Sequence, residues 1–463
     1  MTSAAGPRIA IIGAGFSGSL LAVQLLKRAL PNGRIYLIEK NAQFGGGLAY
    51  STGNANHLLN VRASRMSAFV DEPDHFTNWL RRRDNSANAS ATAGSVDSFV
   101  PRQLYGAYIQ DLLGDEIWQT GRGRNLHLIP DEATAIEPAP DGLVVEVGTG
   151  RRYEVDGAVL AVGNFPNKNA TAHYFGNPWD ISATADLDPQ ASVLLIGTGL
   201  TMVDSVISLL DAGHRGRIYA LSRRGLLPRR HGEAPGHGSA WLSDADLGSV
   251  TDILRAVRRE VRTANHEAVW RSVVDALRPY TQQLWQGLSP EERRRFLRHL
   301  RPWWDVHRHR MAPAVADVIE RTVQSGQLTL LAGRLQQMSA TADGVEIALL
   351  RRGLESPEHL RVARVIDCSG PQCDYSDIAS PLVRNLLDQG LARPDPLRLG
   401  LDVTLESAVI DRDGNASPRL YALGPVTRGI FWEITSVPDI REQCWKVAAQ
   451  LGLRLTVPQM ARA

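Results

Sequence analysis

Two glycine-rich turns carry the most specific chemistry in this chain. The first is Gly13-Ala14-Gly15-Phe16-Ser17-Gly18. It follows the apolar run Arg8 to Ile12 and opens a helical pattern, and Glu39 stands at the end of the next strand pattern. In that setting Gly13 allows a tight turn, Gly15 lets the backbone approach a pyrophosphate, and Gly18 lets helix and strand pack closely. The helix N-terminus, starting at Phe16 and Ser17, then faces the phosphates. Glu39 can accept hydrogen bonds from an adenosine ribose, and its charge repels a 2′-phosphate, so this turn suits FAD or NAD. Lys40 is placed at the same nucleotide site.

The second turn is Gly197-Thr198-Gly199-Leu200-Thr201-Met202. Its third position is Met202 rather than glycine or alanine, which sets the helix slightly farther from the sheet. The strand after it ends in Ser222-Arg223-Arg224, with no acid where Glu39 stands in the first unit. Arginines at a strand end fork onto a 2′-phosphate. This turn is therefore assigned to NADPH ahead of NADH, with Gly197, Gly199, Leu200, Thr201, Arg223 and Arg224 as contacts. The alternative is a solvated turn. Arg229, Arg230 and His231 stand close behind as further candidate phosphate ligands.

Other reactive side chains are less specific. His57 suits acid/base chemistry near neutral pH, or is a packing histidine. Trp304, Asp305, His307, Arg308, His309 and Arg310 form a dense polar cluster on a helical pattern, with His307 and Met311 on one face. Arg308 and Arg310 are candidates for orienting a charged substrate, against an ion-pair cluster that seats the helices. His307 and His309 point to different faces, so no metal set is expected. Cys368, Cys373 and Cys444 contain no C-x-x-C pair, which disfavours a disulfide redox centre or a zinc ribbon.

These residues require elements to hold them. The expected order is strand, turn, helix to about Leu30, and strand Arg34 to Glu39. The plan repeats as strand Ser192 to Ile196, helix Leu200 to Asp211 and strand Gly216 to Ser222. Each unit then reaches an antiparallel meander, turning at Asp141-Gly142 and at Asp343-Gly344. Each meander runs into an apolar strand ending in glycine, Gly163 in the first and Gly370 in the second. The fold class is α/β: two Rossmann-like dinucleotide-binding domains, each with a small antiparallel meander, plus a helical insertion. The domains are 1–190 with 371–463 for FAD, and 191–370 for NAD(P)H, with the insertion at about 241–324. Its tryptophans, Trp241, Trp270, Trp285, Trp303 and Trp304, are helix packing or an apolar wall over a substrate. Asp84 to Ser98 is small and polar and reads as a loop. Arg419 to Gly424 is a further buried strand, followed by a helix from about Val437 to Leu451.

Composition bounds the rest. The 463 residues suffice for several domains, and a hydrophobic fraction of 43% supports a core. Fifty-one basic against 49 acidic residues, a net charge of +2, argue against a nucleic-acid partner. No apolar run approaches the roughly 18 residues of a membrane span, and the N-terminus lacks signal-peptide architecture. A soluble cytoplasmic enzyme is expected, with no indication of oligomeric state.

The chain resembles the bacterial FAD/NAD(P)-binding oxidoreductases with two dinucleotide-binding domains, in a branch related to N-hydroxylating flavin monooxygenases. The resemblance rests on the two turns and on Gly45-Gly46-Gly47-Leu48-Ala49-Tyr50, His57 to Ala63, Arg65-Met66-Ser67, Pro101 to Gly106, Trp304 to Pro313, and Leu423 to Gly429 with Trp432-Glu433. It implies that Asn60 to Ser67 runs beside the flavin ring, with Asn60, Val61, Arg62, Met66 and Ser67 as contacts and Asn60 and His57 near the reaction. It adds Gly46, Gly47, Leu48, Arg102, Gly163, Trp432 and Glu433 to the cofactor contacts. Gly424 would begin the stretch passing the ribityl chain, although Pro425 stands where such flavoproteins often have an aspartate. The helix near Val437 would aim its N-terminal dipole at the flavin. The resemblance implies an NADPH-dependent flavin monooxygenase using oxygen on a small molecule, its amine nitrogen by analogy. A flavin reductase or dehydrogenase and a non-catalytic FAD-binding redox sensor are the alternatives.

Overall fold

The computed structural model of the chain describes residues 6–28, 32–86, 98–118, 122–168, 171–234, 236–238, 241–243, 247–263 and 269–456. Residues 87–97 of the expected polar loop lie outside these. The chain divides into two compact units. One comprises Met1–Ala55, Val61–Phe165 and Gln372–Ala463, the other Asn56–Asn60 and Pro166–Pro371.

In the first unit, the apolar runs at residues 9–12 and 157–160 form central strands buried on both faces. β1 (Arg8–Ile12), β2 (Arg34–Ile38) and β3 (Leu126–Ile129) run parallel. β4 (Ala133–Ala139), β5 (Gly142–Val147) and β6 (Arg152–Val155) form a separate antiparallel sheet, and β7 (Gly157–Leu160) returns beside β1. In the second unit the chain runs through β8 (Tyr174–Phe175), β9 (Val193–Ile196), β10 (Ile218–Ser222), β11 (Leu328–Thr341), β12 (Gly344–Arg351), β13 (Glu358–Val362) and β14 (Arg364–Asp367). β15 (Ala408–Ile410) and β16 (Ala416–Ala422) then complete the first sheet, whose order is β15-β16-β7-β1-β2-β3. Register places Ile9, Ile11 and Ile12 of β1 beside Ile35, Leu37 and Ile38 of β2. The helix Phe16–Lys27 packs beside this sheet, and all but one of its residues, Lys27, are buried. Burial on every side explains why its pattern shows no polar face.

The expected α/β class and the two Rossmann-like units are present. The second meander is present and is continuous with its parallel sheet. Two bounds differ elsewhere. The 14-residue β11 pairs parallel with β10 at its start and antiparallel with β12 further on, so seven strands form one sheet, β13-β12-β11-β10-β9-β14-β8. Residues 166–190 belong to the second unit rather than the first. Tyr174 and Phe175 pair with Val365 and Ile366 as an edge strand of its sheet. The insertion also ends before Gln324. The helix Pro313–Gln324 is the crossover leading into β11, and its Ala316 and Ile319 lie fully buried against the second sheet's core.

Candidate functional site

The first turn is built by close backbone approach. Gly13 has φ +98°, and a Cβ there would run into the Ala161 carbonyl. Its N–H donates to the Ile38 carbonyl at 2.8 Å, tying the turn to the end of β2. At Gly18 a Cβ would strike the Gly13 carbonyl, so helix and turn touch. Gly15 differs. It is the N-cap of the helix at φ −68° and ψ −163°, and its Cβ position meets only Gly47 Cα, at 3.4 Å. No side chain caps the helix. The first-turn N–H groups therefore face a space that Gly15 keeps open, which fits a pyrophosphate. Phe16 is buried against Tyr50 and Tyr105, and Ser17 accepts a weak contact from Cys444 Sγ through its carbonyl.

Glu39 is half-buried at the end of β2. Its Oε2 accepts the Ala14 N–H at 2.8 Å and its Oε1 the Asn41 N–H at 3.1 Å. The carboxylate thus braces the turn and presents charge beside it, while Lys40 is exposed. Gly47, at φ +55°, is the reciprocal of Gly15: a Cβ on it would lie 2.8 Å from Gly15 Cα. Gly46 caps the short helix Gly47–Tyr50, and Leu48 is exposed.

The second turn repeats this construction. Gly197 has φ +109°, and a Cβ there would strike the Cys368 carbonyl. Gly199 is an extended N-cap with no side-chain cap and nothing within 4 Å of its Cβ position. Leu200 and Thr201 begin the helix that follows. Met202 is fully buried in the core, so the larger third residue is absorbed by packing. Thr198 Oγ1 lies 2.9 Å from Ser222 Oγ and donates to the Leu226 carbonyl at 2.6 Å, and Gly225 N–H donates to Ser222 Oγ at 2.9 Å. These bonds fasten the 222–226 turn to the nucleotide turn and so fix where Arg223 and Arg224 start. Arg223 is exposed, and the Arg224 guanidinium stands 5.8 Å from the Trp303 ring. Burial pushes the Cys368 thiol beside this turn up to about 12, which leaves it unreactive.

The residues implied by resemblance divide between the units. Val61, Arg62, Met66 and Ser67 belong to the first. Met66 and Ser67 are buried, and Ser67 Oγ donates to the Glu72 carbonyl at 2.6 Å. The Arg62 guanidinium stands 6.0 Å from the Phe99 ring, and Arg102 opens the helix Arg102–Trp118. Gly163 has φ +65° with open space around its Cβ position. Trp432 and Glu433 are buried, with Arg428 over the Trp432 ring at 4.5 Å. Gly424 has φ +77° and faces Ser17.

His57 and Asn60 fall in the second unit. His57 is buried, its Nε2 3.0 Å from the Asp204 carbonyl and 2.9 Å from Ser208 Oγ. A carbonyl only accepts, so Nε2 carries a proton and fastens the 56–60 segment to the helix Leu200–Asp211. That is the packing role. Asn60 offers its carbonyl to His231 Nε2 at 2.9 Å. Arg230 pairs with Asp317. His231 and Arg230 thus have partners within the second unit.

The Trp304–Arg310 cluster is also rearranged. The helix ends at Arg308, and Met311 forms a parallel bridge with Arg230 rather than sharing a helical face with His307. The Met311 N–H donates to the Arg229 carbonyl at 2.8 Å and the His231 N–H to the Met311 carbonyl at 2.9 Å. Arg310 is 2% exposed, pairs with Asp275 and lies over the Trp270 ring at 5.6 Å. His307 meets the same ring edge-on at 4.9 Å. Arg308 is half-buried on the last turn. Desolvation, with Arg308 and Arg271 nearby, lowers the Arg310 guanidinium pKa. Arg310 therefore joins Asp275 and Trp270 of the helix Val269–Leu277 to the end of the helix Arg301–Arg308. Arg310→Ala is expected to destabilise the chain. A fully buried pair costs about 3–5 kcal/mol to break, and half-exposed Asp275 reduces this to about 2 kcal/mol. Urea unfolding checks this, and an unchanged midpoint would return Arg310 to the substrate contacts.

Sequence reasoning missed two braces. Asp367, at the end of β14, accepts from Tyr174 OH at 2.6 Å, Asn167 Nδ2 at 2.9 Å and Ser369 N–H at 2.9 Å. Gln443 holds Gly424 from 19 residues away. Neither has a sequence signal, because Tyr174 and Asn167 lie 193 and 200 residues from Asp367, and Gly424 lies 19 residues from Gln443. Among the described residues no three His, Cys, Asp or Glu side chains gather as a metal would need, and no helix is long and apolar enough to cross a membrane.

Residues 10–165 match a family described as FAD-NAD(P)-binding. An uncharacterised protein of Mycobacterium tuberculosis is 22% identical over 515 residues, covering 96% of this chain and 95% of its own. Nitrosuccinic acid synthase npaA of Aspergillus oryzae is 24% identical over 327 residues, covering 57% of this chain and 50% of its own. The ornithine N-hydroxylase KtzI of Kutzneria sp. 744, in a structure with reduced FAD, NADP+ and L-ornithine, superposes with a TM-score of 0.60. It is 15% identical and covers 97% of this chain and 99% of its own. The chain thus shares the fold of KtzI, and its residues 10–165 match the FAD-NAD(P)-binding family.

Proposed function

We propose that this chain is an NADPH-dependent flavin monooxygenase that oxygenates an amine nitrogen of a small molecule. One observation carries the reading: two uncapped, glycine-led helices follow parallel strands in two mixed sheets, one beside the Glu39 carboxylate, the other beside Arg223 and Arg224. An acid at one ribose position and arginines at the other suit a resident FAD and a visiting NADPH. The named relatives support nitrogen as the oxygenated atom. KtzI is an ornithine N-hydroxylase, and the name nitrosuccinic acid places a nitro group in the npaA product.

When bound, FAD would supply hydride acceptance from a nicotinamide and activation of oxygen. The chain's own residues do the rest. The first-turn N–H groups and the open Gly15 face receive the pyrophosphate. Glu39 orients the ribose, and through Ala14 keeps the turn in place. Gly199 admits the second nucleotide's phosphates, and the Thr198–Ser222 link presents Arg223 to the 2′-phosphate. Cys368 and Cys444 take no part, both being buried with their thiols pushed up by desolvation.

The test is turnover of purified, FAD-loaded protein with NADPH and labelled oxygen across a panel of primary amines and amino acids. An N-oxygenated product carrying the label is expected. If every amine leaves NADPH consumption matched by hydrogen peroxide, the chain is an oxidase or reductase.

A further inference from the structure

One buried side chain ties together the main chain around Gly424. Gln443, on the helix Val437–Thr456, is 6% exposed. Its Oε1 accepts the Gly424 N–H at 2.8 Å. Its Nε2 donates to Thr427 Oγ1 and to Ser407 Oγ, each at 3.1 Å. Thr427 Oγ1 in turn donates to the Gly424 carbonyl at 2.8 Å. Both polar groups of Gly424 are therefore held, one by Gln443 and the other by the hydroxyl that Gln443 orients. Thr427 is fully buried and Ser407 is 2% exposed.

The two anchored backbones are unusual ones. Gly424 has φ +77°, and Ser407 has φ +65° without being glycine, a conformation kept only where surroundings enforce it. Gly424 also lies against the first turn of the nucleotide site: a Cβ on it would be 2.6 Å from Ser17 Oγ. Ser17 is the second residue of the uncapped helix. Pro425, which follows, has neither an N–H nor a polar side chain. The stretch can serve a ligand through main-chain shape alone, and Gln443 sets that shape.

We propose that Gln443 is a positioning residue for the flavin. It fixes the Gly424 turn against Ser17, so that the main chain of 424–427 forms a preorganised wall beside the phosphate-facing end of the helix. This rests on the FAD reading above. A carboxamide is required, because it must present an acceptor to the Gly424 N–H and a donor to two hydroxyls at once. Glutamate at 443 would set a lone pair against Thr427 Oγ1, whose proton is already given to Gly424.

Full-length protein stripped of FAD is titrated with FAD by flavin fluorescence, and its melting temperature is recorded with and without saturating FAD. For Gln443→Met we expect FAD affinity about tenfold weaker, a change of about 1.4 kcal/mol. The FAD-free melting temperature falls by a few degrees, because the buried Gly424 N–H loses its acceptor, and the FAD-induced rise in melting temperature also shrinks. Thr427→Val, which keeps the side-chain volume, should weaken FAD about threefold in the same direction, and decides the matter if Gln443→Met does not fold. A wild-type FAD-induced rise in the variant that folds, or a fall in FAD-free stability with affinity retained, makes the network merely structural and overturns the proposal. If the wild-type chain itself fails to bind FAD, the site reading falls, and with it the role of Gln443.

Discussion

Gly15→Val is expected to weaken FAD binding severely while the protein still folds. Backbone strain does not enter, because Gly15 sits at φ −68° and ψ −163°, a region any residue adopts. The Cβ itself meets only Gly47 Cα, at 3.4 Å. The two γ-methyls extend over the uncapped first turn, into the volume a pyrophosphate would take. The neighbouring glycines cannot make this separation. At Gly18 and Gly13 a Cβ strikes backbone carbonyls, and at Gly47 it lies 2.8 Å from Gly15 Cα at φ +55°. Those substitutions test folding; Gly15 tests binding. FAD affinity should fall on the order of 100-fold, about 2.8 kcal/mol. Titration of FAD-free protein, alongside its unfolding curve, reads both quantities. A folded Gly15→Val variant with unchanged affinity would sink the pyrophosphate assignment.

What could be read from the sequence was local. The turn at 13–18 and the turn at 197–202 each compress a strand end, a helix start and a glycine pattern into a dozen residues, and both fold as that pattern requires. Glu39 was legible for the same reason, since strand length fixes where it stands. The errors lie where a long-range partner decides. Tyr174–Phe175 is too short to show strand periodicity, and only β14 makes it a strand. The helix periodicity through Trp304 to Met311 continues in sequence beyond Arg308, but pairing of Met311 with Arg230 ends the helix there. His57 reads as an acid/base or a packing residue in sequence, and its partners Asp204 and Ser208 lie about 150 residues away. Gln443 reads as an ordinary helical residue, and only the folded chain brings Gly424, Ser407 and Thr427 to it.

Arg223→Ala should raise the KM for NADPH and leave that for NADH nearly unchanged. The structure sharpens the choice between the two arginines. Both follow Ser222, whose hydroxyl is held beside Thr198 and by the Gly225 N–H, so the start of each side chain is fixed relative to the second turn. Arg224 already has a partner in the Trp303 ring, 5.8 Å from its guanidinium. Arg223 is exposed, and its fork is available to a phosphate arriving from solvent. A charge-assisted contact of this kind is worth about 1.5–3 kcal/mol, and exposure to water places it at the low end, roughly a tenfold loss. The effect should shrink as salt rises, because the contact is exposed and screened. Steady-state rates of flavin reduction with each nucleotide, at low and high salt, supply the measurement. Equal losses for NADPH and NADH would refute the 2′-phosphate role and restore NADH as the reductant. A selective loss in Arg224→Ala alone would keep the NADPH site but move its ligand one residue on, with Trp303 as the surface that orients it.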